Sequence, residues 1–186
     1  MPPPVFTVEF NADAAIAAMA QYPARVQRAT VRALNRALTS GKSRMGSLIA
    51  KDMGIKAADA KAAIRVEPAT PARLQVRMLA SLKRLPLSKF NATGPMPSRG
   101  RGRGVSYRIG GRGRGRVENA FLAQMGSSHR GVFKRTGKGR LPIIELFGPS
   151  IGRVFDQQRP AVIAEMRQVF DDRLAHELKF ASTEGA

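Results

Sequence analysis

The chain has no cysteine, only two histidines, and 13 acidic residues against 32 basic ones. Without cysteine, neither a disulfide framework nor a thiolate metal site can form. The acids show no metal-ligand spacing and no thiol is available as a nucleophile, so catalysis has little to draw on and no catalytic, metal or cofactor residue is expected. No run of 18 apolar residues occurs, which excludes a hydrophobic membrane-spanning helix. The opening Met-Pro-Pro-Pro-Val lacks the basic and apolar regions of a secretory signal, pointing to a cytoplasm or an assembly built there. The shortage of acids leaves a net charge of +19 and a pI near 11.7. A field of that sign implies a polyanionic neighbour, either nucleic acid or an acidic protein surface.

What is present suits one folded unit. At 186 residues and 43% hydrophobic content, the chain can bury a core as a single α+β domain over 1–186. The charge is uneven. Between Pro68 and Ile144 stand 17 basic residues and one acid, Glu118, whereas six acids fall from Asp156 onward. The basic region centres on Ser98–Val117, with seven arginines (Arg99, Arg101, Arg103, Arg108, Arg112, Arg114, Arg116) and seven glycines. Each glycine inside a helix costs about 0.5–1 kcal/mol relative to alanine, so helix is disfavoured there. The stretch also has no apolar face of its own. It reads as a mobile cationic arm or loop, 91–117 with its approach, whose arginines contact nucleic acid or a neighbouring subunit.

Periodicity supplies the remaining elements. Val5–Phe10 alternates as a half-buried strand, and Asn11 caps a short helix over Ala12–Gln21. Val26, Thr30, Ala33, Leu34, Ala37, Leu38, Met45, Leu48 and Ile49 recur at three- and four-residue steps, with Arg25, Arg28, Arg32, Arg36 and Lys42 on other faces. The pattern predicts a long amphipathic helix over Ala24–Met53, closed by Gly54; Gly41 and Gly46 weaken it but allow close packing. Its alanine-rich stripe favours protein packing over a membrane surface. Lys56–Ile64 reads as a short helix, and Glu67–Pro71 ends the helical pattern. Arg73–Ala80 alternates as a strand; Leu82–Phe90 looks like a second, held to an edge or bulge by Pro86. Gly104–Ile109 is a small strand candidate, Ala120–Met125 and His129–Arg135 form a hairpin, and Leu141–Phe147 is an apolar run. The last segment is helical, with Asp156 as its N-cap and a stripe of Val162, Ile163, Met166, Val169, Phe170, Leu174 and Leu178. The order predicts an antiparallel β-sheet flanked by a long N-terminal helix and a C-terminal helix.

Several sharper readings compete with bland ones. The two helices meeting at Gly54 resemble a helix-turn-helix, but the second is mostly alanine and cannot read base edges. Ser127 and Ser128 beside His129 suggest a nucleophile and base, yet a solvated turn explains them without an orienting acid. His176 and Glu177 are adjacent and diverge by about 100° on a helix. The Gly-x-Gly repeats lack the lysine and following helix of a phosphate loop. For nucleic acid, Tyr107 alone lies inside the Arg/Gly stretch, flanked by Phe90 and Phe121, whereas single-strand binders interleave more aromatics. A loop kept soluble by its charge, or one docking on an acidic partner, stands beside the nucleic-acid reading.

Three later segments carry a resemblance. Phe121–Gln124, then Gly131-Val132-Phe133-Lys134-Arg135, then Leu141-Pro142-Ile143-Ile144-Glu145-Leu146-Phe147-Gly148-Pro149-Ser150, followed by a helix, resemble the neck and tail-completion proteins of long-tailed bacteriophages, especially the prophage minor tail protein Z family. Ala33-Leu34-Asn35-Arg36-Ala37 fits the early long helix, so the resemblance runs over about Arg25–Leu178. It implies a structural virion protein rather than an enzyme, at the head-proximal end of the tail and made in the host cytoplasm. Its implied partners are further copies in a hexameric ring around the DNA channel, other neck and tail-tube or terminator proteins, and genomic DNA, with no membrane and no cofactor. A ring would repeat the cationic loop into a positive collar, attracting phosphate without reading sequence. An arm ordered only on contact would delay assembly, and the ordering of about 1–2 kcal/mol per residue would be recovered at the interface. The charge alone equally supports a non-sequence-specific nucleic-acid-binding protein acting through the Arg/Gly stretch.

Overall fold

A computed structural model describes residues 6–11, 24–96, 104–126, 129–137, 139 and 141–183. Strands β1 (Phe6–Asn11), β2 (Ile64–Glu67) and β3 (Gln75–Ala80) and helices α1 (Ala24–Met53) and α2 (Ala57–Ala62) make the first half. The second half adds β4 (Val105–Arg108), β5 (Arg114–Val117), β6 (Ala120–Gln124), β7 (Arg130–Arg135), β8 (Ile143–Glu145) and α3 (Gly152–Thr183). The class is α+β, as predicted. Its strands are shared among three antiparallel sheets, β1-β3-β2, β4-β5 and β6-β7-β8. The short helix expected over Ala12–Gln21 lies outside the described residues.

The two long helices pack on each other over the largest interface in the molecule. On α1 the contact stripe is small, with Ala29, Ala33 and Ala37 fully buried, which lets the helix axes approach. A Cβ added at Gly41 would stand 2.5 Å from Met166 Sδ, so the glycine that weakens α1 also makes room for α3. α1 ends at Gly54, whose φ of +66° suits glycine. In the first sheet Val76, Met78 and Ala80 are buried beneath the helices, and β3 pairs on both sides, with β1 from Phe6↔Ala80 to Asn11↔Gln75 and with β2. Asn35 fastens the loop after β2 to α1: its amide donates to the Ala69 carbonyl (3.1 Å) and its side-chain oxygen accepts from the Ala69 N–H (2.8 Å). No helix among the described residues is long and apolar enough to cross a membrane.

Three local expectations change. The short helix stops at Ala62, and Ile64–Glu67 is a strand because Ile64 and Val66 alternate with Arg65 and Glu67. Leu82–Phe90 is not a strand; it makes a single bridge, Pro86 to Phe147, and then a 3-10 turn over Leu87–Lys89. Leu85 and Leu87 make the backbone hydrogen bonds on either side of Pro86, and the turn that starts at Leu87 ends the pairing. The C-terminal helix begins at Gly152, not after Asp156, and Pro160 lies inside it. An interior proline costs about 3 kcal/mol. Burying Ile151, Val154 and Phe155 around the helix start offsets this, at about 1.5–3 kcal/mol for each large apolar side chain.

Candidate nucleic-acid or subunit interface

The described part of the Arg/Gly stretch is a hairpin. β4 and β5 pair antiparallel with Val105↔Val117, Ser106↔Arg116, Tyr107↔Gly115 and Arg108↔Arg114, joined by a 3-10 turn at Gly110–Arg112. Residues directly opposite share a face, so Ser106, Arg108, Arg114 and Arg116 lie on one side. The other side carries Val105, Tyr107, Gly115 and Val117. Val105 is fully buried in the core, with Tyr107, Ile109 and Val117 packed against it. The Arg-Gly alternation is thus a strand with period two, arginine outward and glycine inward. β5 has no apolar residue before Val117; β4 supplies the apolar face that the stretch lacks in isolation.

Close approach explains two of the glycines. The Tyr107 ring crosses Gly115, where any Cβ would collide with it. Gly110, at φ +47°, sits against the C-terminal turn of α1, and a Cβ there would run into the Asp52 carbonyl. The outer edge of β4 is held as well. Thr93 and Ser106 exchange backbone hydrogen bonds of 2.8 Å, and the Arg108 N–H donates to the Phe90 carbonyl at 2.9 Å. Residues 91–96 and 104–117 of the predicted arm are therefore anchored to the body.

The predicted contact residues divide accordingly. Arg108, Arg114 and Arg116 are exposed together on the outward face. The backbone of Arg112 lies in the turn between the strands. Arg99, Arg101 and Arg103 lie outside the described residues, as do Ser127 and Ser128.

Two acids that sequence reasoning missed complete the electrostatics. Glu177 is 5% exposed between α1 and α3. It accepts from Arg32 Nε at 2.6 Å and pairs with Arg173 at 2.8 Å. Burial alone would raise its pKa, but the hydrogen bond and charge of Arg32, with those of Arg173, hold it below the usual carboxylate value. Its place seven residues after Phe170, on the apolar stripe of α3, was the available signal. Around these arginines Arg36, Asn35 and Thr39 line an open cleft of about 590 Å³. His129 Nε2 lies 2.7 Å from Glu145 Oε1, so the acid that seemed lacking comes from β8. Nearby, Lys56, Ser88, Lys89 and Arg130 line a cleft of about 480 Å³ in which Lys89 Nζ pairs with Asp59 at 2.6 Å. His176 is exposed while Glu177 is buried, diverging as adjacency on a helix requires. Among the described residues no group of three His, Cys, Asp or Glu could hold a metal ion.

The hairpin thus presents Arg108, Arg114 and Arg116 on one outward face. The model of the prophage minor tail protein Z family matches residues 11–182, which takes in strands β2 to β8 and nearly all of both long helices. The chain belongs to the prophage minor tail protein Z family. As a minor tail protein it is a structural component of a phage tail, and the virion is where it resides. The arginine hairpin, the Glu177 clamp and the β6-β7-β8 sheet all fall inside the matched segment. No curated protein and no solved structure matches the chain.

Proposed function

We propose that this minor tail protein completes the head-proximal end of the tail, where the tube is closed and joined to the head. Copies form a hexameric ring around the DNA channel, in contact with neck and tail-tube or terminator proteins, after synthesis in the host cytoplasm. The family match over residues 11–182 carries this reading. The hairpin supports it physically: each copy contributes Arg108, Arg114 and Arg116 on one face, and a ring multiplies them into a cationic collar. A net charge of +19 keeps free copies apart until an anionic or acidic surface is present. The role is structural, without catalysis. Electron microscopy of particles made without the protein is expected to show tails with defective upper ends that fail to join heads; normal infectious particles would sink the reading. Replacing His129 and His176 together is expected to leave particle yield unchanged.

The shared arginine face also favours a second reading, non-sequence-specific nucleic-acid binding by the free protein. Binding of the isolated protein to duplex DNA should then weaken steeply between 50 and 200 mM salt, as phosphate contacts generally do. No binding at low salt removes that reading and leaves the first intact.

A further inference from the structure

The β6-β7-β8 sheet packs one face on the core and ends in a short outermost strand, β8, flanked by exposed apolar side chains. Register places Ala120, Leu122 and Val132 inward, and all three are buried in the core cluster. On the opposite face register aligns Phe121 with Phe133 and Glu145, and Arg135 with Ile143. The two phenylalanine rings lie tilted against each other, centroids 6.2 Å apart, and Phe133 is itself buried. Two residues beyond either end of β8 stand Leu141 and Phe147, 70% and 46% exposed. Ile144, 48% exposed on that outermost strand, pairs with Lys134 and so lies on the Ala120 side of the sheet, at its edge. These are three of the four most exposed large apolar side chains among the described residues, gathered within seven positions. Clustered exposure of this kind marks interaction surfaces, whereas single exposed apolar residues need no explanation.

The charge around this edge selects the occupant. The Arg135 guanidinium lies 5.7 Å over the Phe121 ring, and Arg130–Leu141 carries five basic residues and no acid. Glu145, the carboxylate on this face, is taken by His129. A second copy fits poorly: it would bring this basic segment, with no acid of its own, against the same basic segment. The remaining exposed large apolar residue among those described, Met96, offers no complementary patch. We propose that the β8 edge of this sheet, Leu141–Phe147 with Arg135 beside it, docks an apolar, carboxylate-rimmed surface of a different protein of the tail. This rests on the tail-completion reading above.

The test uses purified tails assembled without this protein, mixed with the full-length chain and sedimented, with retained protein quantified. Wild type should be retained, and less so as salt rises. The double variant Leu141→Ser/Phe147→Ser should lose at least tenfold in retention, and Arg135→Glu several-fold, both with unchanged melting because these side chains contribute little to the core. Retention of either variant at the wild-type level overturns the proposal. So does loss of self-association by the double variant in the isolated protein, which would put a second copy on the edge. Failure of wild type to be retained defeats the tail-completion reading itself, a result distinct from failure of the variants.

Discussion

The arginines of α1 and those of the β4-β5 hairpin have opposite surroundings. Along α1, Arg32 meets Glu177 and Arg44 meets Glu165 at 2.9 Å, both acids being delivered by α3 from more than a hundred residues away. In the hairpin, register sets Arg108 directly across from Arg114, with Arg116 on the same face. Like charges opposite one another destabilise a hairpin by a few tenths of a kcal/mol up to about 1. The same residue type therefore joins layers where the fold brings it an acid from α3, and stands grouped on one outward face where strand register sets it beside its own kind. The first set is read as architecture and the second as interface.

Removing the acid of the helical set should have the largest effect. Glu177→Ala leaves Arg32 and Arg173 without their charge-assisted hydrogen bonds and is expected to lower stability by about 2–3 kcal/mol in urea denaturation. That figure is already discounted, since the two arginine side chains are 52% and 44% exposed. The same group makes a pH prediction. Its folded-state pKa lies below the ordinary 4.5, so the unfolded chain takes up the proton first as pH falls. The stabilisation is complete above pH 4.5 and is lost as pH drops through the lowered folded value. Glu177→Gln should flatten that acid limb of the stability profile, and equal slopes for both proteins would refute it.

In the hairpin, Gly115→Val tests whether the alternation is structural. Valine has the higher strand propensity, yet it should destabilise by about 1–3 kcal/mol because the Tyr107 ring occupies its space. Hydrogen exchange over 105–117 should accelerate; a neutral or stabilising outcome would mean that Tyr107 moves freely. The smallest effect has the opposite sign. Arg108→Glu turns a repulsive cross-strand pair into an attractive one and should stabilise the fold by about 0.2–1 kcal/mol. If the free protein binds DNA, the same change should also reduce the salt dependence of binding by about one phosphate contact. A variant that is more stable and binds less would sharpen the division between the two sets of arginines.

Elements with strong local period were legible from the residues alone. α1 runs Ala24–Met53 as the apolar spacing required, β3 and the β6-β7 hairpin follow their alternation, and Gly54 ends α1. β2 was hidden because Lys56–Ile64 continues a helical composition past the point where β3 offers Ile64 a pairing partner. β5 was hidden for a different reason: arginine and glycine carry no apolar signal, and the strand is held by pairing with β4, whose own outer edge is fixed by the backbone of Phe90 and Thr93. The helix start at Gly152 was missed because Asp156 offered an N-cap, while the burial of Phe155 outweighs the hydrogen bond that Pro160 forgoes.

Composition settled that this is a cationic protein without thiol chemistry, and residue spacing gave the α+β class and the long helices, because periodicity depends on neighbours a few positions apart. Which charges are neutralised could not be read that way. Glu177 reaches Arg32 across 145 positions, and Glu145 reaches His129 across 16. Folding also turned half of an apparently unstructured Arg/Gly stretch into a hairpin, because its apolar side comes from the opposing strand and from the core beneath. Pairing over such separations depends on where packed layers bring side chains together, and no local pattern records it.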